Sequence, residues 1–261
     1  MLGFEKRDVT SLKNFFSMML RDRYLGSSLG SIWGIANPLL MLGIFTFVFG
    51  YVYKIKLPGA ETTLSYAIWL ISGYGPWIAT TEAIMSAATS ITTSAGLIKN
   101  IAFKSELLPV AGALTGMLPL GVSMLFLLVL LFVDGNLPTW HAFSIILVAF
   151  LQFSLVVSLG FFLAALNVFF RDLGYALPSM LLVLLFATPI FYPIDSTPRV
   201  AQLISTFNPF YIIAEGYRQP LVYHQLPNFA GLCYVALLSL LLGYAGLLSF
   251  RRVKGYFEAV L

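Results

Sequence analysis

Six long tracts without an acidic or basic side chain divide this sequence, and they constrain the fold more than any other feature. A helix needs about 20 apolar residues to cross the hydrocarbon core of a bilayer, and each tract approaches or exceeds that length. The tracts occupy 25–53, 64–81, 107–133, 142–170, 173–194 and 229–250. A membrane β-barrel would show short alternating segments instead. The sequence therefore predicts an all-α integral membrane protein.

Composition supports the same fold class. The chain has 261 residues, of which 59% are hydrophobic and 10% charged, and its mean hydropathy is +0.89. These values exclude an ordinary soluble domain. We predict a cytoplasmic amphipathic interfacial segment at 1–24 and a transmembrane domain at 25–261. Its six transmembrane helices are placed at about 30–53, 64–84, 107–133, 142–168, 173–192 and 229–250.

The positions of Lys and Arg predict the orientation of the spans. With six spans, all of the 15 basic residues except Lys54, Lys56, Arg199 and Arg218 fall on the side that holds both termini. Because an excess of basic residues faces the cytoplasm, both termini are predicted to be cytoplasmic. Contact of these residues with membrane lipid also accounts for the net charge of +4, so no nucleic acid partner is needed.

Two cytoplasmic segments carry candidate functional residues. Apolar residues at three- and four-residue steps between positions 9 and 24 predict an amphipathic helix beside the membrane. Its basic residues either attract a lipid diphosphate headgroup or dock a cytoplasmic partner, or they only anchor the helix to anionic lipid. These residues are Lys13, Arg21 and Arg23.

The second segment is the loop 96–109, which mixes charged and apolar residues and predicts a short amphipathic helix. A soluble motor subunit on the cytoplasmic side would need such a helix as a docking surface. The alternative is that the loop only connects two spans. The residues that would hold a motor are Lys99, Phe103, Lys104 and Glu106.

Aromatic side chains gather near the predicted outer ends of the first two spans and between Pro189 and Pro193. Aromatic faces stack against sugar rings, so these residues either line a path for a glycan or form an interfacial belt against lipid. They are Phe45, Phe49, Tyr53, Tyr66, Trp69, Phe191 and Tyr192.

Polar residues interrupt the later spans. Gln152, Ser154, Ser158 and Asn167 in the fourth span either hydrogen-bond neighbouring helices or face a wet channel. Arg171 and Asp172 mark a membrane surface, and we predict that they hold the inner ends of the fourth and fifth spans together.

The segment 193–226 is too apolar for an exposed loop, yet its prolines and charges prevent it from spanning the membrane twice. A re-entrant pair of short helices is predicted, because irregular backbone is tolerated at membrane depth when protein buries it. Asn208 is suited to cap the second helix and Pro209 to begin it. Glu215 and Arg218, three residues apart, are suited to pair on that helix. The helices form either an external gate or a plug.

Three stretches together resemble one protein family: 21–38 (RDRYLGSSLGSIWGIANP), 167–194 (NVFFRDLGYALPSMLLVLLFATPIFYPI) and 208–223 (NPFYIIAEGYRQPLVY). They are similar to the permease subunit of type-2 ATP-binding-cassette (ABC) exporters, especially those that carry lipid-linked polysaccharides such as O-antigen. The resemblance implies a homodimer in the bacterial inner (plasma) membrane, two nucleotide-binding ATPase subunits coupled through the loop 96–109, and a lipid-linked polysaccharide as substrate. It also favours the external gate at 193–226.

Sequence motifs for catalysis are missing. No G-x-x-x-x-G-K-[ST] loop occurs, so ATP and Mg are expected on the partner ATPase. This chain is expected to bind no cofactor or metal and to be a transport subunit rather than an enzyme. The alternatives are a type-2 ABC permease for a drug, a small lipid, a capsule or teichoic acid, and a motor-independent secondary transporter. Neither the internal repeats nor the intramembrane acids of many secondary transporters are evident.

Overall fold

The computed structural model describes residues 6–23, 27–52, 62–100 and 103–261, and in these ranges it contains helices and their connections without any strand. The all-α prediction is therefore confirmed. The helices are α1 (Lys6–Arg23), α2 (Trp33–Phe45), α3 (Thr63–Thr93), α4 (Ala95–Asn100), α5 (Leu107–Gly116), α6 (Leu118–Asp134), α7 (Ser144–Phe169), α8 (Asp172–Ala187), α9 (Arg199–Thr206), α10 (Pro209–Leu221), α11 (Phe229–Val253) and α12 (Phe257–Val260).

Four helical segments in the described ranges are long and apolar enough to cross a membrane. They are Trp33–Val52, Leu107–Asp134, Trp140–Phe169 and Phe229–Tyr256. The first continues α2 through a π-helical turn, and the second joins α5 to α6. Four of the six predicted spans thus correspond to helical segments that are long and apolar enough to cross a membrane.

The predicted second and fifth spans correspond to α3 and α8, which differ from the other spans for physical reasons. α3 carries buried hydroxyl groups, among them Ser72, Thr80 and Ser90, which lower its hydropathy and donate hydrogen bonds to backbone carbonyls of the same helix. α8 has only 16 residues. It ends because Thr188 adopts an extended backbone conformation, which is favoured for a residue that precedes a proline, here Pro189.

α3 lies at the centre of the bundle and packs against α5, α6, α7 and α10. Its closest crossing is with α5, where a Cβ atom added to Gly112 would overlap the backbone of Ser86 and Ala87. A Cβ added to Gly116 would overlap the backbone of Ala83. Small residues allow two membrane helices to approach closely, and at this crossing only glycine fits.

The bundle has two distinct ends. At one end, here called the terminus end, α1 packs against α5, and the C-terminal tail 254–261 packs against α4, α7 and α11. At the opposite end, here called the hairpin end, α10 lies against α3, α7 and α11. The predicted cap of α10 is confirmed, because Asn208 Oδ1 accepts hydrogen bonds from the backbone N–H groups of Phe210 and Tyr211.

The structure corrects the prediction of one helix over the loop 96–109. Helix α4 ends at Asn100, residues 103–106 form a turn, and α5 already begins at Leu107. Pro109 therefore lies in the first turn of α5, where a proline is tolerated because the backbone N–H it lacks has no partner within a helix. Positions 101–102 lie outside the described residues.

Candidate functional site

An aromatic cluster occupies the hairpin end, as the sequence pattern suggested. The Phe191 ring stacks on Phe45 and Phe49, with ring centroids 4.8 Å and 4.9 Å away. Tyr74 contacts Phe45 edge-on at 4.7 Å and lies 5.3 Å from Phe191. Such ring pairs contribute about 0.5–1.5 kcal/mol each beyond the area they bury. The cluster therefore binds the end of α2 to α3 and to the segment after α8.

Several predicted aromatic residues are covered by protein in this conformation. Phe191 is 1% exposed, Tyr66 2% and Trp69 5%. The Tyr66 hydroxyl donates to the Phe191 carbonyl at 3.3 Å, whereas the Tyr192 hydroxyl, at a half-buried position, donates to a carbonyl of α8. Tyr53 lies outside the described residues. The role of these residues in lining a glycan path stays a prediction.

A buried arginine on α10 joins three parts of the hairpin end. Arg218 is 1% exposed and donates hydrogen bonds to the carbonyl oxygens of Ile190 (2.6 Å), Trp69 (3.3 Å) and Pro189 (3.4 Å). Its predicted pair with Glu215 is present at 2.8 Å. Removing the partner of a buried charge costs about 3–5 kcal/mol, so this set of contacts is a strong constraint on the hairpin end.

The environment of Arg218 is a narrow slot. Its guanidinium carbon lies 3.8 Å from the centroid of the Trp69 ring. On α3, a Cβ atom added to Gly73 would lie 2.7 Å from that carbon and 3.0 Å from Nε. This slot, between an aromatic face and a helix backbone without a side chain, fits the flat guanidinium of arginine. It leaves no room for a residue larger than glycine at position 73. Sequence reasoning found only the pair with Glu215 and missed this slot.

A second polar network lies deeper in the bundle. The Tyr217 hydroxyl donates to Gln152 Oε1 at 2.7 Å, and Gln152 Nε2 donates to the Pro76 carbonyl at 2.8 Å and to Thr80 Oγ1 at 2.9 Å. Gln152 is fully buried. Of the two readings of this residue, the structure favours the hydrogen bond between helices, here joining α3, α7 and α10.

Ser158 and Asn167 also hydrogen-bond neighbouring helices, whereas Ser154 Oγ donates to the Phe150 carbonyl of its own helix. Ser158 Oγ donates to the Ser239 carbonyl on α11 at 2.8 Å, and Asn167 Nδ2 donates to Thr92 Oγ1 on α3 at 3.2 Å.

Two adjoining open cavities lie beside α2 and α3. The first, between α2, α3 and α8, has a volume of about 310 Å³, and the second, nearer the terminus end and bordered by α2, α3 and the start of α6, has about 320 Å³. Asn37 and Glu82 line both, and Tyr74 of the aromatic cluster lines the first. Arg23 lines the second and forms an ion pair with Glu82. The two cavities thus extend from the Arg23–Glu82 ion pair to Tyr74 of the aromatic cluster. The sequence pointed to the arginine, to Glu82 and to the aromatic residues, but not to their arrangement along one groove.

The remaining candidate headgroup residues are open to the surroundings. Lys13 and Arg21 are exposed on α1. At the junction of α7 and α8, Arg171 donates from its guanidinium to the Val260 carbonyl at 3.4 Å, and Asp172 occupies the first turn of α8. A carboxylate in the first turn of a helix stabilises the helix dipole.

The candidate motor loop is built into the terminus end. Lys104 Nζ contacts Asp8 of α1 at 2.5 Å, and the Phe103 ring lies 4.8 Å from Phe15 of α1. Lys99 on α4 is exposed. Lys99 is therefore accessible at the surface, while Phe103 and Lys104 bind the loop to α1.

Glu106 binds the loop to the C-terminal tail. Its Oε1 accepts from Lys254 Nζ at 2.9 Å and from Arg251 Nε at 3.1 Å. Burial alone would raise the pKa of the Glu106 carboxyl, but hydrogen bonds from its own backbone N–H, from Lys254 and from Arg251 hold the pKa below its ordinary value. Glu106 is thus an ionised bridge inside the chain.

Comparison with known proteins gives matches that cover most of the chain. The family model described as ABC-2 type transporter matches residues 11–222. The O-antigen export system permease protein RfbA of Myxococcus xanthus is 28% identical over 228 residues, 87% of this chain and 85% of the relative. An RfbA of Klebsiella pneumoniae is 28% identical over 244 residues, 93% and 91% of the two chains. The polysialic acid transport protein KpsM of Escherichia coli is 23% identical over 250 residues, 95% of each chain.

Proposed function

Because this chain belongs to the ABC-2 type transporter family, we propose that it is the permease subunit of an exporter that moves a lipid-linked, O-antigen-like polysaccharide outward across the bacterial inner membrane. ATP hydrolysis in a separate subunit drives this transport, and the permease itself is not an enzyme. The observation that carries the proposal is the similarity to O-antigen export permeases along 85% and 91% of their length.

The proposed permease crosses the membrane six times, with α3 and α8 added to the four apolar segments. At 1.5 Å per residue, the 31 residues of α3 reach about 46 Å, which exceeds the hydrocarbon thickness of about 30 Å. The 16 residues of α8 reach about 24 Å, and the extended residues after Thr188 complete the crossing. The distribution of Lys and Arg supports a cytoplasmic terminus end, so the hairpin end with α9 and α10 forms the re-entrant external gate.

Two copies of the permease and two ATP-binding subunits make up the proposed transporter. The loop 96–109 transmits motion from the motor, with exposed Lys99 at the contact. α1 lies along the inner surface of the membrane, where Lys13 and Arg21 contact anionic headgroups. The apolar sides of α2 and α8 that flank the cavities are exposed in the single chain, for example at Ile44 and Val183, and a second copy covers them.

The proposed path for the substrate follows the two cavities. Arg23 at the entrance attracts the diphosphate of the lipid carrier, and the aromatic residues Tyr74, Phe45 and Phe49 contact the sugar rings that follow. Aromatic faces suit this role, because their contacts with sugars are individually weak and tolerate different sugars. A polysaccharide can therefore slide past them.

A second candidate substrate is an acidic polysaccharide. It rests on the similarity to KpsM, whose name specifies polysialic acid. Export of either polymer predicts the same membrane architecture, so the chemistry of the exported glycan separates the two.

The test is deletion of the gene in the bacterium that carries it. Loss of a surface polysaccharide, with its lipid-linked form accumulating inside the cell, is the expected result. Restoration by the intact gene is the control, and sugar analysis of the accumulated polymer distinguishes a neutral from an acidic glycan. An unchanged surface polysaccharide together with altered sensitivity to a drug would contradict the proposal and favour a drug exporter.

A further inference from the structure

The break after α8 leaves backbone acceptors that its own helix cannot satisfy. In a continuous helix, the Pro189 carbonyl would accept from the N–H of the residue four positions later, which is Pro193 and has no N–H. Arg218 Nη1 donates to that carbonyl instead, and Arg218 Nη2 donates to the next one, at Ile190. The broken helix therefore takes its missing donors from α10.

The residues that carry these two carbonyls lie directly beside the aromatic cluster. Phe191 follows Ile190 directly and is the ring on which Phe45 and Phe49 stack. A second hydrogen bond, from Nδ2 of the α10 cap Asn208 to Thr188 Oγ1 at 2.9 Å, also ties α10 to the break. Of these two side chains, Arg218 also reaches α3, through the Trp69 carbonyl and ring. The Tyr66 hydroxyl of α3 separately donates to the Phe191 carbonyl in the break. Arg218 thus joins α3, the break and α10.

We infer that Arg218 is the latch that keeps the hairpin end closed, and that the gate opens when its guanidinium leaves the carbonyls of Pro189 and Ile190. Arg218 is a positioning residue, since it acts through the backbone that carries Phe191 and needs no contact with substrate. The inference rests on the proposed function, because export requires this end to open. To the proposed function it adds the specific contact that breaks when the gate opens, which is the one between Arg218 and the carbonyls of Pro189 and Ile190.

The geometry makes the latch specific for arginine. Its acceptors lie on α3, in the break and on α10. Nε donates to the Trp69 carbonyl, Nη2 donates to the Ile190 carbonyl, and Nη1 donates to the Pro189 carbonyl and to Glu215. A lysine ammonium is a single point of charge and cannot bridge acceptors spread in this way. Substitution by lysine should therefore fail to restore closure even though it preserves the charge.

The test measures how accessible the gate is to a thiol reagent. Cys233, the single cysteine, is replaced by serine, and Ala214→Cys introduces a small reporter. Ala214 lies on α10, is 2% exposed and faces the buried hydrophobic cluster of the hairpin end. The permease, in complex with its ATP-binding subunit and in nanodiscs that expose both faces, is treated with a charged, membrane-impermeant thiol reagent without ATP. Arg218→Gln and Arg218→Lys should each raise the labelling rate at least about tenfold, a shift in the opening equilibrium of about 1.4 kcal/mol.

Two controls separate a latch from a general stabilising role. Arg199→Gln neutralises an exposed arginine on α9 at the same end and should leave the labelling rate unchanged. A second reporter, Ala164→Cys, lies fully buried in the cluster at the terminus end. Its labelling should not change with Arg218→Gln, because loss of a latch opens one end only.

Gly73→Ala perturbs the same latch without a substitution of Arg218, because the added Cβ would collide with the guanidinium. It should also raise labelling at Ala214→Cys, and it decides the question if Arg218→Gln yields no folded protein. Equal labelling with and without these changes, or equal increases at both reporters, would overturn the inference. Because labelling is measured without substrate or ATP, a negative labelling result contradicts the latch but not the proposed export function. A failure of export in the transport assay, in turn, contradicts the export function but not the labelling evidence for the latch.

Discussion

At the scale of single residues, buried polar side chains fix how the helices of the hairpin end are arranged. Apolar membrane helices have little hydrophobic reason to associate, since lipid tails are as apolar as their side chains. Gln152 makes hydrogen bonds that join α7 to α3 and α10, and Arg218 joins α10 to α3 and the end of α8. Their partners are specific atoms, so they define one register of the helices.

Replacing Tyr217 with phenylalanine tests the network around Gln152. The change removes the hydroxyl that donates to Gln152 Oε1 and leaves a buried acceptor without its donor. We expect a loss of about 1 kcal/mol in the free energy of unfolding. That value lies between the average of about 0.6 for hydrogen bonds between membrane helices and the upper figure of about 3 for a stranded buried group. Tyr244→Phe, at a residue 71% exposed, is the matched control.

Unfolding by a denaturing detergent, followed for both tyrosine variants, measures this difference. Equal stability of the Tyr217 and Tyr244 variants would show that the network contributes nothing measurable.

The Glu106 bridge predicts a dependence of stability on pH. Because the folded protein holds the pKa of Glu106 below its ordinary value of 4.5, the bridge contributes fully above pH 4.5. Its contribution is lost as pH falls through the lower, folded value. Glu106→Gln should therefore be less stable than the parent protein near neutral pH, and the gap should narrow in acid. Asp134→Asn, at an exposed acidic residue, should show no such gap, and a gap for Glu106→Gln that persists unchanged in acid would refute the bridge.

At the scale of helices, charge-free tracts predicted the four segments that are long and apolar enough to cross a membrane, because length and composition decide whether a helix can do so. The sequence also predicted the cap at Asn208, since that signal is local. The slot for Arg218 was not predictable, because it joins residues such as Gly73 and Ile190 that are far apart in the chain. The burial of Glu106 against the tail was missed for the same reason.

The motor loop can be tested through the residue that the fold leaves free to contact a partner. Lys99→Glu should weaken coupling, measured as substrate-stimulated ATP hydrolysis by the complex, by up to about fivefold, since an exposed ion pair contributes up to about 1 kcal/mol. The stability of the permease should not change, because Lys99 is exposed. Phe103→Ala should reduce both coupling and stability, because its ring packs on Phe15.

Arg252→Glu, at an exposed basic residue outside the loop, is the matched control for Lys99→Glu. Equal effects of these two charge reversals on coupling would show that the loop has no special contact with the motor.

The aromatic cluster can be tested by a double change that keeps its apolar character. Phe45→Leu combined with Phe49→Leu removes two aromatic faces, each of which contributes about 0.5–1.5 kcal/mol to a ring contact. Export should fall about tenfold, while dimer assembly and ATP hydrolysis persist. Phe47→Leu, at a residue 58% exposed on another side of the same span, should export normally. Normal export by the double variant would assign these rings to packing or to the lipid belt.

At the scale of the whole molecule, the two ends of the bundle suggest how a separate motor drives export. The terminus end unites α1, the loop 96–109 and the C-terminal tail through Lys104 and Glu106. α3 runs from the loop at this end to Trp69 and Gly73 at the hairpin end, where it contacts Arg218. Movement of the loop by the motor would therefore reach the latch along one continuous helix.

The most direct measurement is ATP-driven movement of a lipid-linked polysaccharide into proteoliposomes that contain this permease and its ATP-binding subunit. The account predicts uptake that requires ATP, both subunits and a polymer on the lipid, with no ATP hydrolysis by the permease alone. Uptake that continues without the ATP-binding subunit, driven by an ion gradient, would contradict the account and identify a secondary transporter. Complexes that hydrolyse ATP but never move the polymer would contradict polysaccharide as the substrate.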